Sequence, residues 1–527
     1  MKLSYGLGAL LVLLLSSCSE PEPIPDHRAS GWFAKTLPEI TAALDAGEIT
    51  SEELVQGYLD RIESIDRHGP NLRAVLSLNP EAINESRALD RLRKQSQVLG
   101  PLHGVPILLK DNIESKEPLP TTAGSFALEH NVTNRDAPLV AGLREQGAII
   151  LGKANLSEWA NFRSQASMSG WSGMGGQVKN PHMLDRNPCG SSSGSAAAVA
   201  ASLAAGAIGT ETNGSVICPA TVNGIVGFKP TVGLVAQDLI VPISPTQDTA
   251  GPMTKTVVGA AMLLGAMDNG DADYVAGLDT EFFRGKRIGV ARFSVGQDTS
   301  IQPIFDAALL VLESVGAELV EIESRYEMPA NFRDLTFVVL AYEFKQSINQ
   351  YLANTPPEVG SRSLADLIQF NRAHSRELNL FDQSIFEVAA AKGALTDEAY
   401  QEARAITYSA TREQGIDWYL KEYEVDLLVA PSGVPAPRRD PINGDVWPPF
   451  VGIGWMAAVA GYPHATVPMG TVDKLPIGLS FIGSANEDTV VLAGAFAYEQ
   501  ASLQRVDPEF LSSAAELTHI SDALEAP

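Results

Sequence analysis

The sequence predicts an α/β fold, because helical patterns alternate with short buried strands. Residues 136–146 have helical periodicity and end at Gly147, and an apolar strand follows at 148–151. The same alternation occurs further along at 286–292, 301–316 and 317–322. A helix that leads directly into a strand favours a parallel layer. Residues 271–284 are the best candidate for a domain boundary, but strands are predicted on both sides, so we expect them to join one sheet.

Composition excludes some partners. The chain has 527 residues, of which 45% are hydrophobic, so it can form a large core. Its net charge is −25, and a nucleic acid or an anionic membrane surface requires a basic face. We therefore expect no nucleic-acid partner. The charge fits a protein that handles neutral or cationic small molecules, and it fits plain solubility equally well.

The N-terminus has the features of an export signal. Residues 1–17 contain Lys2 and an apolar run at 7–15 that is too short to span a bilayer. The sequence Leu15-Ser16-Ser17-Cys18 resembles a bacterial lipobox, which implies cleavage before Cys18, lipidation of its thiol and a periplasmic or outer-membrane lipoprotein. Residues 18–30 then serve as lipid attachment and Pro-rich tether. The alternative is an ordinary signal peptide, an incidental cysteine and a soluble exported protein.

One main domain is expected from residue 31 to 510. It contains a helix-rich, more polar part near 330–427 that we expect to shape the substrate pocket, and a loosely held tail follows at 511–527. Two further cysteines, Cys189 and Cys218, are too few for a disulfide framework. Two small buried thiols are the simplest interpretation, although the sequence does not decide whether they are free or paired.

Two Gly/Ser turns organise the segment from 187 to 229. The first occupies residues 190–195 and leads into a small-residue helix at 196–205, and a short strand then reaches the second turn at 212–215. Side chains this small let backbone N–H groups approach a ligand closely. They also leave hydroxyls as the only reactive groups, so a site built from both turns is expected.

A lysine ends a predicted core strand. The apolar run at 105–109 leads directly into Lys110. If its amine stays in the core, desolvation lowers its pKa from about 10.4, by roughly 3–5 units when burial is complete. A neutral amine is a base. The alternative is a lysine that turns to solvent at the strand end.

Other catalytic patterns are weaker. Residues 190–194 satisfy G-x-S-x-G with Ser192 as nucleophile, and His374 or His464 would then be the base, but this motif needs a preceding strand and residues 181–188 do not form one. The sequence contains no S-x-x-K, H-E-x-x-H, C-x-x-C or phosphate-binding G-x-x-x-x-G-K-[ST] motif. We therefore predict neither a metal site nor a cofactor.

Three separated elements together resemble the amidase signature hydrolases. They are Gly104-Val105-Pro106 to Lys110-Asp111-Asn112, the run from Cys189 to Ala196, and Gly209 to Ser215 followed by 224–230. The resemblance covers roughly residues 35–505. It implies an amidase-signature-like fold, in which a large mixed central β-sheet is covered on both faces by α-helices.

The resemblance also implies a Ser-Ser-Lys triad. The catalytic lysine falls on Lys110, the bridging serine with its cis peptide bond on Ser191, and the nucleophile on Ser215, 24 residues later. The backbone N–H groups of Thr212, Asn213, Gly214 and Ser215 form the implied oxyanion hole. Cys189, Glu211 and Asn213 depart from the commonest family residues, and Asn213 tolerates unusual backbone angles.

Residues 169–173 and 209–219 look most like peptide amidases, which deamidate peptide C-termini. We therefore expect hydrolysis of a peptide amide or related linear amide through an acyl-enzyme. Water is the expected acceptor, because an exported protein meets neither the ATP nor the tRNA that some relatives use. Trp171, Ser192 and Asn155 are the expected substrate contacts. An aryl-amide, acyl-amide or amide-oligomer hydrolase and a non-catalytic ligand-binding lipoprotein are the alternatives, and the oligomeric state is not predicted.

Overall fold

The structure is a computed structural model, and it describes residues 27–268, 272–296, 298–324, 326–449 and 451–525. The predicted signal peptide at 1–17 and the lipidation site Cys18 lie outside these residues, so both stay predictions. Within the described ranges, no helix is both long and apolar enough to cross a membrane.

Eleven strands form one mixed sheet, and two very short strands pair separately. In chain order the strands are β1 Val75–Leu78, β2 Pro106–Lys110, β3 Ile149–Ala154, β4 Trp171–Ser172, β5 Gly176–Gln177, β6 Gly206–Glu211, β7 Val226–Lys229, β8 Thr249–Thr254, β9 Arg287–Val290, β10 Glu318–Glu321, β11 Leu427–Pro431, β12 His464–Val472 and β13 Leu475–Ile482. The order across the large sheet is β1-β3-β2-β6-β8-β7-β12-β13-β11-β9-β10.

The sheet mixes parallel and antiparallel pairs. Strand β2 runs parallel to β3 and to β6, and β9 runs parallel to β10 and β11, whereas the central strands pair antiparallel. Strands from both sides of residues 271–284 belong to this one sheet, as expected. The predicted mixed α/β fold is confirmed.

Helices flank the sheet. They are α1 Leu37–Ala46, α2 Ser51–Arg61, α3 Ala82–Lys94, α4 Pro138–Glu145, α5 Ser193–Ala200, α6 Ile217–Val222, α7 Val257–Met267, α8 Gln302–Ser314, α9 Phe332–Ala353, α10 Leu364–Ala373, α11 Ser375–Leu378, α12 Ser384–Ala390, α13 Glu398–Thr411, α14 Asp417–Glu422, α15 Gly454–Ala460, α16 Asp488–Ser502 and α17 Thr518–Leu524. Helices α9 to α14 occupy the helix-rich part predicted near 330–427.

Local sequence explains several boundaries. Thr50 caps α2 by accepting a hydrogen bond from the backbone of Glu53, whose carboxylate accepts one from the backbone of Thr50 in return. Gly147 follows α4 with φ of +87°, a left-handed conformation that glycine adopts without steric cost. The helix predicted at 196–205 instead spans Ser193–Ala200, because the Gly/Ser turn already supplies its first residues.

Helix α5 is buried on every side, and its sequence SGSAAAVA contains no large or charged residue. A Cβ atom added to Gly194 would lie 2.3 Å from the backbone oxygens of both Ala74 and Asn155. Small residues are therefore required for this helix to lie against the sheet. It follows directly after the first Gly/Ser turn, so its tight packing fixes that turn.

The tail that we expected to be loosely held at 511–527 is described as far as residue 525, and this part makes defined contacts. The backbone of Leu184 donates a hydrogen bond to the carbonyl of Leu511 at 2.7 Å. Helix α17 follows, and none of its residues is buried. The described part of this tail is thus joined to the domain at its beginning, and its last helix lies on the surface.

Candidate active site

Two adjacent parallel strands, β2 and β6, bring the predicted lysine and the second serine turn to one edge of the sheet. Leu109 on β2 pairs with Ile208 on β6, so the carboxyl ends of the two strands meet. Lys110 is fully buried there, and its Nζ donates to Ser191 Oγ at 2.7 Å, Thr210 Oγ1 at 2.8 Å and Thr210 O at 3.1 Å. The alternative in which Lys110 turns to solvent is therefore excluded.

Burial sets the protonation of Lys110. It lowers the pKa of the amine to about 7, although the negative charges of Asp248 and Glu211 act in the opposite direction. A neutral amine has two hydrogens and one lone pair. With three oxygen neighbours, it can donate to Thr210 and accept the proton of the Ser191 hydroxyl. The arrangement is thus that of a base in contact with a hydroxyl.

Thr210 was not identified from the sequence as a site residue. Its hydroxyl contacts Lys110 and also accepts a hydrogen bond from Asn112 Nδ2 at 3.0 Å. Both residues lie inside the motifs that carry the family resemblance, but their role depends on strand register, which the motifs do not contain. They hold the amine in place beside Ser191.

The first Gly/Ser turn contains a cis peptide bond and packs against Ser157. The Gly190–Ser191 peptide bond is cis, as the resemblance implies. A Cβ atom on residue 190 would lie 2.1 Å from Ser157 Oγ, so only glycine fits. The backbone N–H of Ser157 donates to the carbonyl of Ser191 at 3.0 Å, and the Ser157 hydroxyl accepts from the backbone of Gly170 at 2.8 Å.

The second turn connects β6 to α6 and presents Ser215. The buried carboxylate of Glu211 accepts hydrogen bonds from the backbone of Val216 at 2.8 Å and of Ile217 at 3.1 Å, which fixes the far side of the turn. The carbonyl of Ser215 accepts from the backbone of Ser192 at 3.2 Å, so the two turns are in contact.

The inner groups of the second turn are available to a ligand. Across the described parts of the chain, the Ser215 hydroxyl and the backbone N–H groups of Asn213, Gly214 and Ser215 have no protein hydrogen-bond partner. Ser215 is 9% exposed. The structure thus brings Lys110 and Ser191 into direct contact and places Ser215 on the neighbouring turn, with no hydrogen bond joining the two serine hydroxyls.

A cavity of about 320 Å³ adjoins both turns. Cys189, Gly190, Asn213 and Gly214 line the side that belongs to the turns. The opposite side is largely apolar and includes Ile217, Val434, Trp447, Val451 and Trp455. Polar and charged residues also contribute to the wall: Asn161, Ser169, Glu211, Thr221, Ser432, Asp445 and His464. A cavity with an apolar wall and a few converging polar groups is typical of a small-molecule site.

The three predicted substrate contacts lie elsewhere. Ser192 Oγ donates to the carbonyl of Thr210 and accepts from its N–H, so this hydroxyl is fully used within the backbone. The Asn155 side chain is buried and bonds to Ser172 Oγ and to the carbonyls of Arg73 and Gly176. Both side chains are therefore used in hydrogen bonds within the protein.

Trp171 is 8% exposed and packs edge-to-face against Phe381. It lines a separate surface groove of about 1000 Å³ with Met168, Arg438 and Arg439, not the cavity beside the serine turns. The sequence could not assign residues to the groove or to the cavity, because neighbours in the chain line different surfaces: residue 168 lines the groove and residue 169 lines the cavity.

The arrangement required by G-x-S-x-G is absent from the described residues. Ser192 follows no strand, and its hydroxyl is engaged by Thr210. His464 Nε2 is hydrogen-bonded to Ser480 Oγ at 2.7 Å, and His374 stacks on Phe126 and Phe370. Neither histidine contacts Ser192.

The interpretation of Cys189 and Cys218 as two buried thiols is wrong. They form a disulfide, with Cα atoms 5.9 Å apart. The fold brings them together because the two Gly/Ser turns meet, although 29 residues separate them in the chain. Sequence spacing alone contains no signal for this pairing.

Two solved structures of peptide amidases are similar over nearly the whole chain. The native peptide amidase from Stenotrophomonas maltophilia superposes with a TM-score of 0.84 at 45% identity, covering 90% of this chain and 98% of that one. A peptide amidase in complex with the competitive inhibitor chymostatin gives a TM-score of 0.85 at 45% identity, covering 90% and 99%.

Two curated relatives are an amidase and a subunit of an amidotransferase. A probable amidase of Arabidopsis thaliana is 36% identical over 533 residues, 96% of this chain and 97% of the relative. One of the glutamyl-tRNA(Gln) amidotransferase subunits of Halorhodospira halophila is 33% identical over 501 residues, 89% of this chain and 97% of the relative.

Fold, relatives and site together define a hydrolase that acts on amide C–N bonds. A family profile described as Amidase matches residues 53–492, and the chain belongs to this family.

For a reaction in which Lys110 acts as the base, the pKa of this amine predicts the pH dependence of hydrolysis. A base must be neutral to act, so kcat/KM is expected to fall roughly tenfold per pH unit as the pH drops below about 7, and to level off above it. Initial rates between pH 5 and pH 9 test this. Lys110→Arg, whose guanidinium stays charged, should be inactive throughout. A wild-type profile that is flat from pH 5 to pH 9 would contradict it.

Proposed function

We propose that this protein removes the C-terminal amide group from peptides, using Ser215 as nucleophile, Ser191 as proton bridge and Lys110 as base, with water as the acceptor. One observation carries the mechanism: the buried amine of Lys110 lies 2.7 Å from Ser191 Oγ, on the turn that contacts the Ser215 turn. No histidine is needed, because Lys110 supplies the basic group.

The proton path follows this geometry. Ser215 Oγ attacks the amide carbon while its proton passes to Ser191 Oγ, and the Ser191 proton passes to the lone pair of Lys110. Hydrogen bonds in a ligand-free site are often longer than in the substrate complex, so the Ser191–Ser215 contact is expected to form when substrate fills the cavity.

The oxyanion forms beside the second turn, where the N–H groups of Asn213, Gly214 and Ser215 are unpaired among the described residues. One such donor is typically worth about 2.7–4 kcal/mol of transition-state stabilisation. The C–N bond then breaks as the proton returns through Ser191 to the leaving nitrogen, which releases ammonia and leaves an acyl ester on Ser215. Water activated by the same Lys110–Ser191 pair hydrolyses the ester, giving a carboxylic acid and the free serine.

The cavity supports a peptide with an apolar terminal residue. Its wall is dominated by Ile217, Val434, Trp447 and Trp455, which bury an apolar side chain well. The carboxylate of Asp445 accepts from the backbone of Ser169 at 3.0 Å and lies in the same wall, where it disfavours an acidic side chain. The similarity to proteins named peptide amidases supports the same substrate class.

Export supports water as acceptor. The predicted signal at 1–17 and the predicted lipidation at Cys18 support a location outside the cytoplasm, as a lipoprotein. The Cys189–Cys218 disulfide supports this location independently, because disulfides persist mainly in oxidising compartments.

Labelling with a fluorophosphonate probe tests the nucleophile. We expect the label on Ser215, since it lies next to the cavity-lining residues Asn213 and Gly214 and its hydroxyl has no hydrogen-bond partner among the described residues. Ser215→Ala should lose both label and turnover, by at least about 1,000-fold. Ser192→Ala is the matched control on the neighbouring turn. A label on Ser192, or turnover that survives Ser215→Ala, would refute the assignment.

Lys110→Ala should abolish turnover at neutral pH, because no other basic side chain among the described residues is hydrogen-bonded to Ser191. Partial recovery is expected at high pH, where hydroxide replaces the lysine. Ammonia release between pH 7 and pH 10 measures both effects. Full activity of Lys110→Ala at pH 7 would rule out the lysine as base.

Ammonia release from a substrate panel tests the specificity. Dipeptide and tripeptide amides that end in Phe or Leu amide should be cleaved at least about tenfold faster, in kcat/KM, than those that end in Asp or Glu amide, because only the former bury apolar area without approaching Asp445. Anilides test the alternative aryl-amide function through the release of the aniline, which is measured in place of ammonia, and free-acid peptides are the blank. Faster turnover of anilides than of any peptide amide would replace the proposal.

Metabolic labelling with a palmitate analogue tests the lipid anchor in a bacterial host. The full chain should incorporate the label and sediment with membranes, whereas Cys18→Ser should do neither, because the acceptor thiol is lost. Labelling of neither protein would leave the ordinary signal peptide as the explanation, and equal labelling of both would refute Cys18 as the site of lipidation.

A further inference from the structure

The only disulfide within the described residues bridges the two turns of the site. Cys189 lies two residues before Ser191, and Cys218 lies three residues after Ser215. A covalent bond thus joins the segments that present the two serines. The direct backbone contact between these turns is the single hydrogen bond from Ser192 to the carbonyl of Ser215, at 3.2 Å.

The backbone at Cys189 needs this support. Its φ is +52°, in the left-handed region that non-glycine residues adopt at a cost. Three constraints hold it there. Asn187 Oδ1 accepts from its N–H at 2.8 Å, the Ser193 hydroxyl donates to its carbonyl at 2.5 Å, and Cys218 binds its sulfur. Removing the third constraint leaves a disfavoured conformation adjacent to Gly190 and Ser191.

The disulfide is also within reach of solutes. Both cysteines line the 320 Å³ cavity, and Cys218 is half-buried rather than enclosed in the core. A small dithiol that enters the cavity can therefore meet the sulfur of Cys218. Substrate occupies the same space, so bound substrate shields the bond.

We propose that the Cys189–Cys218 disulfide is a redox-sensitive positioning element that keeps Ser191 and Ser215 aligned, so that the oxidised enzyme is the active form and a dithiol reductant weakens it. This inference rests on the proposed function, since it concerns the same two serines. Cys189 and Cys218 act through the serines and do not touch the reacting atoms.

The chemistry balances with a dithiol as reductant. One of its thiolates attacks Cys218 Sγ and breaks the S–S bond, which gives a mixed disulfide and the Cys189 thiolate. The second thiol of the reductant displaces Cys218. Two electrons and two protons end on the two cysteines, which become thiols, and the reductant becomes a cyclic disulfide. Oxidised reagent reverses the reaction.

Misplacement by about 1 Å in a catalytic group can lower turnover by about 100-fold. We therefore expect reduction to lower kcat by about 10- to 100-fold. KM should change by less than about threefold, because reduction removes no side chain from the wall that contains Trp447 and Trp455. A general loss of structure would instead change both constants and the melting curve.

The test uses the chain with Cys18→Ser, so that only this disulfide responds to dithiothreitol. Mass spectrometry confirms two thiols, and kcat, KM, circular dichroism and the rate of fluorophosphonate labelling at Ser215 are measured in the oxidised, reduced and reoxidised protein. The matched control adds Cys189→Ala and Cys218→Ala, and it should show the reduced rate and ignore the reductant. Recovery of kcat on reoxidation would support the proposal.

Three results would overturn it: a fully reduced protein with kcat within twofold of the oxidised one, a double alanine variant with the oxidised rate, or unfolding of the reduced protein at the assay temperature. Labelling separates this failure from that of the proposed function. If the oxidised protein is not labelled at Ser215, the proposed triad fails and the inference fails with it. Equal labelling rates in both redox states refute the role of the disulfide alone.

Discussion

The site depends on one desolvated amine. Lys110 ends a strand inside the sheet, where it has no access to water, and this lowers its pKa to about 7. Burial therefore turns an ordinarily charged side chain into a base at neutral pH. The oxygens of Ser191 and Thr210 reduce the free-energy cost of burying the amine, because they accept hydrogen bonds from its N–H groups.

Burial of a lysine is not by itself a sign of catalysis in this fold. Lys153 and Lys229 are also fully buried, and desolvation lowers the pKa of each to about 8. Lys153 donates to the carbonyl of Ile113 and to Thr121 Oγ1, and Lys229 donates to the carbonyl of Pro230. These partners fix loops. Lys110 differs because its partner is a serine hydroxyl on a glycine-bounded turn beside a cavity.

Much of this architecture was predictable from the residues. The strand that ends at Lys110, the turn before Ser191 and the turn that contains Ser215 all lie where the sequence pattern placed them, since small residues and apolar runs are local signals. The mixed sheet required the family resemblance, because antiparallel pairing among the central strands leaves no local trace.

The features that the sequence did not predict depend on contacts between segments that are distant in the chain. Thr210 reaches Lys110 only through the register of β2 and β6, and the pairing of Cys189 with Cys218 follows from the meeting of two turns. The apolar wall of the cavity comes largely from residues 433–455, well outside the motifs that indicated the reaction. Proximity in sequence was therefore a poor guide to substrate contacts: Ser192 is adjacent to Ser191, yet its hydroxyl is consumed by the backbone.

Helix α5 and the segment at 433–455 differ in how well they tolerate substitutions. All residues of helix α5 are buried, and Gly194 has no room for a Cβ atom, so the helix that follows the first serine turn tolerates little change. The segment at 433–455 has many exposed positions and carries the cavity wall. Evolution or engineering can therefore broaden or narrow the range of amides by rewriting that segment, while the chemistry stays tied to an almost unalterable helix.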